Sequence, residues 1–459
     1  MSAFRLLFSL SLLLAASLRA ATYHLDAGRG DDRLGDGSVS APWRSLAKAS
    51  ALGLQPGDSV LLRAGCSWVG EHLELSCAGT VSAPVRVGRY GDGPDPLIDF
   101  ADTGNDQGEA WGIRLLNCSH VELSDLRIRS GRWAASRLRS GVWVLAEDAQ
   151  AVFTHIHLRR LHVSEVYGNS RRSGGINVHV RLRGGGGESV FDGVLIEDCT
   201  VEDVADTGIQ LMTDSLLDGN AWTHRFDAFR NVVIRGCRVH YVLRDGILVR
   251  ASSGALLEHN VLHHVGYLRG EAERLPYLPR IEVVAALWPY YSDRVLMRYN
   301  EAYATRRLAA DGQAWDFDVG VTNSVYEYNY SHDNEGGCLL VMNDTRGNIF
   351  RHNVSHNDQG DLIDVQEDGT LIEDNVFYRG PGVSPGAYFS GNARRFGSKR
   401  ITYRRNHFIN LSGSPYYRDA NSVFEDNVFF GLHPASEPAG SPGPSAGTAP
   451  GGAGVPPSR

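Results

Sequence analysis

The chain has 459 residues, a formal net charge of −8 and 42% hydrophobic residues. Lysine is nearly absent, with Lys48 and Lys399 set against 43 arginines, and a net acidic chain is a poor partner for nucleic acid. Residues 1–20 read as a secretory signal: Arg5 supplies the charge, Leu6 to Leu14 the apolar run, and small residues close it near Ala20. No later apolar stretch is long enough to span a bilayer. The expectation is a secreted, monomeric protein placed in the periplasm or outside the cell.

Residues 21–110 read as a cap of short strands. Within it Cys66 and Cys77 bracket one predicted strand and are the expected disulfide pair. Cys118 and Cys338 read as inert core thiols. Cys199 and Cys237, in IleGluAspCys199 and IleArgGlyCys237, occupy one repeated slot, where they either pair or stack.

The same slot holds Asn down the second half of the chain, after an apolar–polar–polar triplet, at Asn260, Asn300, Asn329, Asn353, Asn375, Asn406 and Asn427. The intervals are 40, 29, 24, 22, 31 and 21 residues, a repeat of about 22 residues with insertions. Such a period, built from short alternating segments, signals a solenoid. Asn accepts a left-handed backbone at tight corners, and its amide can bond to the same amide one rung away, about 4.8 Å off. Residues 190–430 carry no sustained helical period. The prediction is an all-β, single-chain right-handed parallel β-helix with an Asn ladder over residues 21–433. Residues 434–459 are nearly all Pro, Gly, Ser and Ala and are expected to be a disordered tail.

The segments AspGlyGlnAlaTrpAspPheAsp318 and TyrAsnTyrSerHisAspAsnGluGlyGly337, with the opening TyrHisLeuAspAlaGly28, AlaProTrpArgSerLeu46 and GlnProGlyAspSerVal60, resemble the secreted bacterial right-handed β-helix proteins of the pectate-lyase-like superfamily. The resemblance covers roughly residues 22–433. It implies fold and secretion, while the superfold hosts lyases, hydrolases, epimerases and adhesins.

Aligning IleLeuValArg250, LeuTrpProTyr290, TrpAspPheAsp318 and CysLeuLeuVal341 as one strand of successive rungs predicts which side chains point outward. With Ile247, Trp315 and Cys338 inward, Arg250, Trp288, Tyr290, Asp316 and Asp318 form an outward patch suited to a sugar. Arg250, Trp288, Tyr290 and His332 are the candidate substrate contacts. His332 and His356 sit in matching places, as do His263 and His264 in an earlier rung. Asp316 and Glu335 are 19 residues apart, close to one coil. Similar β-helix glycosidases, including a β-xylosidase family, use an Asp and a Glu from adjacent turns. That resemblance implies Asp316 as nucleophile or base, Glu335 as general acid and Asp318 as the group tuning both. Asp311, Asp361 and Asp364 extend the acidic strip, and Glu282 and Arg280 are expected in a wall of the cleft.

Three functions compete. A glycoside hydrolase acting on a polysaccharide or oligosaccharide leads. A polysaccharide lyase is the alternative, with Arg250 or a His as base, since the central rungs lack lysine. A noncatalytic carbohydrate-binding solenoid is the third. No cofactor is required; a calcium ion, if used, would fall to Asp316, Asp318 and Asp364.

Overall fold

A computed structural model describes residues 20–438, apart from 102, 104–107, 132–137, 148–149, 183–188, 215–226, 271–282, 384–385, 390–398 and 418–420. The signal segment, most of the tail, and Arg280 and Glu282 therefore lie outside the described residues. One short helix, Leu46–Ser50, sits in the cap, with Ser45 accepting from the Lys48 amide. Otherwise the described chain is strands and turns. They form three sheets of 15, 13 and 10 strands, and sheet neighbours are one coil apart in sequence. Strands pair in parallel, as in Ile247↔Leu287 and Trp315↔Leu339. Each coil thus gives one strand to each sheet, the architecture of a parallel β-helix. The last strand is Val428–Gly431.

The ladder is present. The backbone and side-chain amides of Asn260 both donate to Asn300 Oδ1 at 3.0 Å, and the pattern continues through Asn329, Asn353, Asn375, Asn406 and Asn427. Each side-chain amide also donates to a carbonyl of the preceding rung, so these buried polar groups are satisfied. The corner conformation differs from expectation. The left-handed residue is the one before each Asn: His259, Tyr299, Tyr328, His352, Asp374, Arg405 and Asp426 have φ between 51° and 57°. The preceding residue makes the corner, which leaves Asn free to turn its amide inward.

Cysteines begin the same row. Cys237 donates its amide to Asn260 Oδ1, and the Cys77 and Cys118 sulfurs lie 3.9 Å apart. All six cysteines are free. The expected Cys66–Cys77 disulfide is therefore corrected: Cys66 Sγ turns to Asp26 Oδ1 at 3.5 Å, while Cys77 belongs to the buried ladder. Cys199 and Cys237 are likewise buried, unpaired thiols. Aromatic stacks extend the interior, as in Phe377–Phe408–Phe429 with ring centroids 5.2 and 5.1 Å apart.

Candidate active site

The ten-stranded sheet carries the acidic patch on its outer face. Along strand Ala310–Phe317, Trp315 and Phe317 enter the main core while Asp316 faces out. The neighbouring rungs align with it: Gln210↔Leu248↔Trp288 and Asp316↔Leu340↔Asp364 are register partners, as are Arg250 and Tyr290. Trp288, Leu248 and Ala285 form a small apolar cluster on this outer face, with Tyr290 against it. Arg250, Trp288, Tyr290, Asp316 and Asp318 are thus brought to one face. One rung slips from the predicted alignment: Trp315 pairs with Leu339, not Cys338. The turn at Gly336–Gly337 shifts the strand by one residue, and both Cys338 and Leu339 are buried in the core.

Asp311 reaches the patch through a bulge. Val284 pairs with Asp311 but Ala285 pairs with Gln313, leaving Gly312 unmatched. Gly312 has φ +94°, and a Cβ there would meet the Arg307 backbone at 2.9 Å, so this position demands glycine. A bulge re-aims the side chain beside it.

Asp311, Asp316 and Asp318 each feel the charge of acidic neighbours drawn from Asp245, Asp311, Asp318 and Asp364. Burial pushes the Asp318 carboxyl up to about 7, with Asp311 and Asp245 adding to the rise; the Val319 amide and Arg250 oppose it. Burial raises Asp311 to about 6, reinforced by Asp245 and Asp364 and opposed by Arg307. Asp316 is buried deepest, 4% exposed, and burial with its four acidic neighbours holds it well above the carboxylate range. Its Oδ1 and that of Asp245 lack hydrogen-bond partners, as does Gln313 Oε1. Asp311 and Asp318 are mostly buried, with part of each still reaching solvent.

Cations edge the patch. Arg250 is buried, donates to Gln210 Oε1 at 3.1 Å, and is held down to about 10 by burial and by Arg244. Tyr290 is pushed up to about 12 by burial and the neighbouring Asp318. Behind the patch, the Tyr326 hydroxyl crosses the core to donate to the Leu287 carbonyl at 2.8 Å and lies 3.1 Å from the Asp316 carbonyl. It fixes the backbone under Asp316.

Three sequence expectations move. Glu335 is not brought to Asp316. Its Oε2 accepts the Arg307 amide at 2.9 Å and its Oε1 the Tyr267 hydroxyl at 3.3 Å, so it closes a turn at the edge of the patch. His332 lies on the 13-stranded sheet, in register with Tyr303 and His356, stacked on Tyr303 at 4.6 Å and bonded to Asp333 at 2.8 Å. It belongs to an outer aromatic row that His263 shares, away from the acidic face. Asp316, Asp318 and Asp364 do not bring one oxygen each within 4.8 Å of one another. Asp364 stands two rungs from Asp316, with Leu340 between them, or about 9–10 Å at the Cα atoms.

Fold and site together define a right-handed parallel β-helix with a carboxylate cluster on one sheet, flanked by aromatic and arginine side chains. Residues 111–268 match the right handed beta helix region family model. Lacto-N-biosidase of Bifidobacterium longum subsp. longum is 27% identical over 89% of this chain, which spans 32% of that protein, about a third of its length. Two crystal structures of the GH136 lacto-N-biosidase from Eubacterium ramulus superpose with TM-scores of 0.69 and 0.67. They are 26% and 25% identical, over 90% and 88% of this chain and 68% of theirs.

Proposed function

We propose that this chain is a secreted glycoside hydrolase whose catalytic carboxyls are Asp311 and Asp318. The observation that carries the reading is the acidic cluster on this face, in which Asp311 and Asp318 are raised to about 6 and about 7 beside Trp288 and Tyr290. Glycoside hydrolysis needs one carboxyl protonated and one ionised near neutral pH. Acids driven up by burial and by neighbouring like charge favour that state. One donates its proton to the glycosidic oxygen as the bond to the anomeric carbon breaks; the other, ionised, attacks that carbon or activates a water. Asp316 and Asp245 lie deeper and act by keeping the field acidic. Tyr290, partly exposed, offers ring surface to a sugar, with the buried Trp288 packed beside it, and Arg250 limits how far Asp318 rises.

The likeness to lacto-N-biosidases supports an oligosaccharide substrate, with a glycan ending in lacto-N-biose the first to try. The lyase reading has less behind it, because Arg250 at about 10 remains a cation at neutral pH. The N-terminal apolar run of the sequence supports export, and among the described residues no helix is long and apolar enough to cross a membrane.

The test is a panel of oligosaccharides and polysaccharides, incubated with and without chelator, following reducing ends and unsaturated uronate absorbance together. New reducing ends without absorbance, insensitive to chelation, are expected. Absorbance rising in step with reducing ends would replace hydrolysis with elimination. Binding without turnover across the panel would favour a noncatalytic solenoid.

A further inference from the structure

The outer face of the 15-stranded sheet, away from the acidic patch, carries a second cluster. Glu122 and His157 are register partners on strands Val121–Ser124 and Val152–Arg159, directly opposite across the ladder. His155, with a left-handed backbone (φ +52°), steps out of the strand register, and its ring stacks on that of His157 on the same face, while Ile156 between them is buried. His155 Nε2 is 3.0 Å from Glu122 Oε1, and His157 Nδ1 is 3.9 Å from the same oxygen. The two rings stack at 3.7 Å.

These three are the one group of His, Cys, Asp or Glu among the described residues whose ligand atoms fall within 4.8 Å of one another. His157 Nδ1 is buried and has no hydrogen-bond partner, although it points at the Glu122 carboxylate. Arg86 takes the other Glu122 oxygen at 3.2 Å, leaving Oε1 to the imidazoles.

We propose that Glu122, His155 and His157 form a binding site for a divalent transition metal of the zinc type, with three protein ligands and a fourth position open to solvent. Bonds of about 2.0–2.2 Å in tetrahedral geometry put ligand atoms roughly 3.3 Å apart, and the two spacings at Oε1 bracket that figure. Two imidazoles and one carboxylate suit zinc better than calcium, which selects oxygen. The ion would clasp adjacent coils on a face the hydrolytic site does not use.

The probe is zinc chloride titrated into the full chain by calorimetry, followed by cobalt(II) absorption. One saturable site, a zinc-dependent rise in unfolding temperature, and intense visible cobalt bands of low coordination number are expected. Binding should weaken at least tenfold in His157→Gln and be unchanged in His332→Gln, whose ring lies on another sheet. Cobalt spectra of the unaltered chain need no variant, so a misfolded variant leaves the test intact. Absence of saturable binding at millimolar zinc, cobalt bands of a hexa-aqua ion, or binding that survives His155→Gln with His157→Gln would overturn the site.

Discussion

Replacing Asp318 by Asn should stabilise this protein at pH 8 while removing its activity. The Asp318 carboxyl is raised from 3.8 to about 7, first by burial and then by Asp311 and Asp245. Between those values the folded state holds a proton that the unfolded chain releases, so stability falls as pH rises through the window. Roughly three pH units at about 1.36 kcal/mol each set a ceiling near 4 kcal/mol. Because the rise is shared with Asp311 and Asp316, the part that one substitution recovers is about 2 kcal/mol. Asn keeps the size of the side chain and can still accept the Val319 amide. The gain should be full at pH 8 and largely gone near pH 4, where the folded-state Asp318 is protonated and as neutral as Asn. Urea unfolding at the two pH values, with unchanged slope, measures it. A loss of stability at pH 8, or an equal gain at both pH values, would refute the argument that like charge and burial are concentrated at this residue.

Three further outcomes follow from the same geometry. Arg250→Met removes the cation that opposes the rise of Asp318, so the limb of the kcat/KM profile set by Asp318 should move about one unit to higher pH; an unmoved profile would detach Arg250 from the catalytic charge. Tyr326→Phe deletes the hydroxyl under Leu287 and Asp316 and should cost about 1–3 kcal/mol, read by urea midpoint, with a fall in kcat. Asn329→Leu strips ladder bonds to Asn300, Asn353 and Met297. Leaving several buried groups unpaired should cost about 3 kcal/mol or more.

Much of the fold was legible because the solenoid writes itself into sequence as a period. Asn260 to Asn427 mark the rungs of the second half, and the hydrogen bonds between them show why. The outward facing of Asp316, Trp288 and Tyr290 followed from strict alternation along strands. What alternation cannot show is where a strand breaks register. The bulge at Gly312 carries Asp311 into the cluster, and its only trace was the Asp-Gly pair, which also reads as an ordinary turn. Coil spacing set Glu335 near Asp316, yet a turn residue 19 positions on is placed by its own bonds, here to Arg307 and Tyr267. His332 lies elsewhere for a related reason: a repeat places equivalent residues on each of three sheets, and spacing alone does not say which sheet carries the acidic patch. Cys66 and Cys77 were close in sequence, but the ladder claims Cys77.

The most direct test is the rate of Asp311→Asn, Asp318→Asn and Glu335→Gln on a glycan that the unaltered protein cleaves, each checked for fold by circular dichroism. Loss of about a thousandfold in both aspartate variants, with Glu335→Gln retaining most of the rate, is the predicted result. Full activity in either aspartate variant, or a loss confined to Glu335→Gln, would contradict the assignment of catalysis to the carboxylate pair.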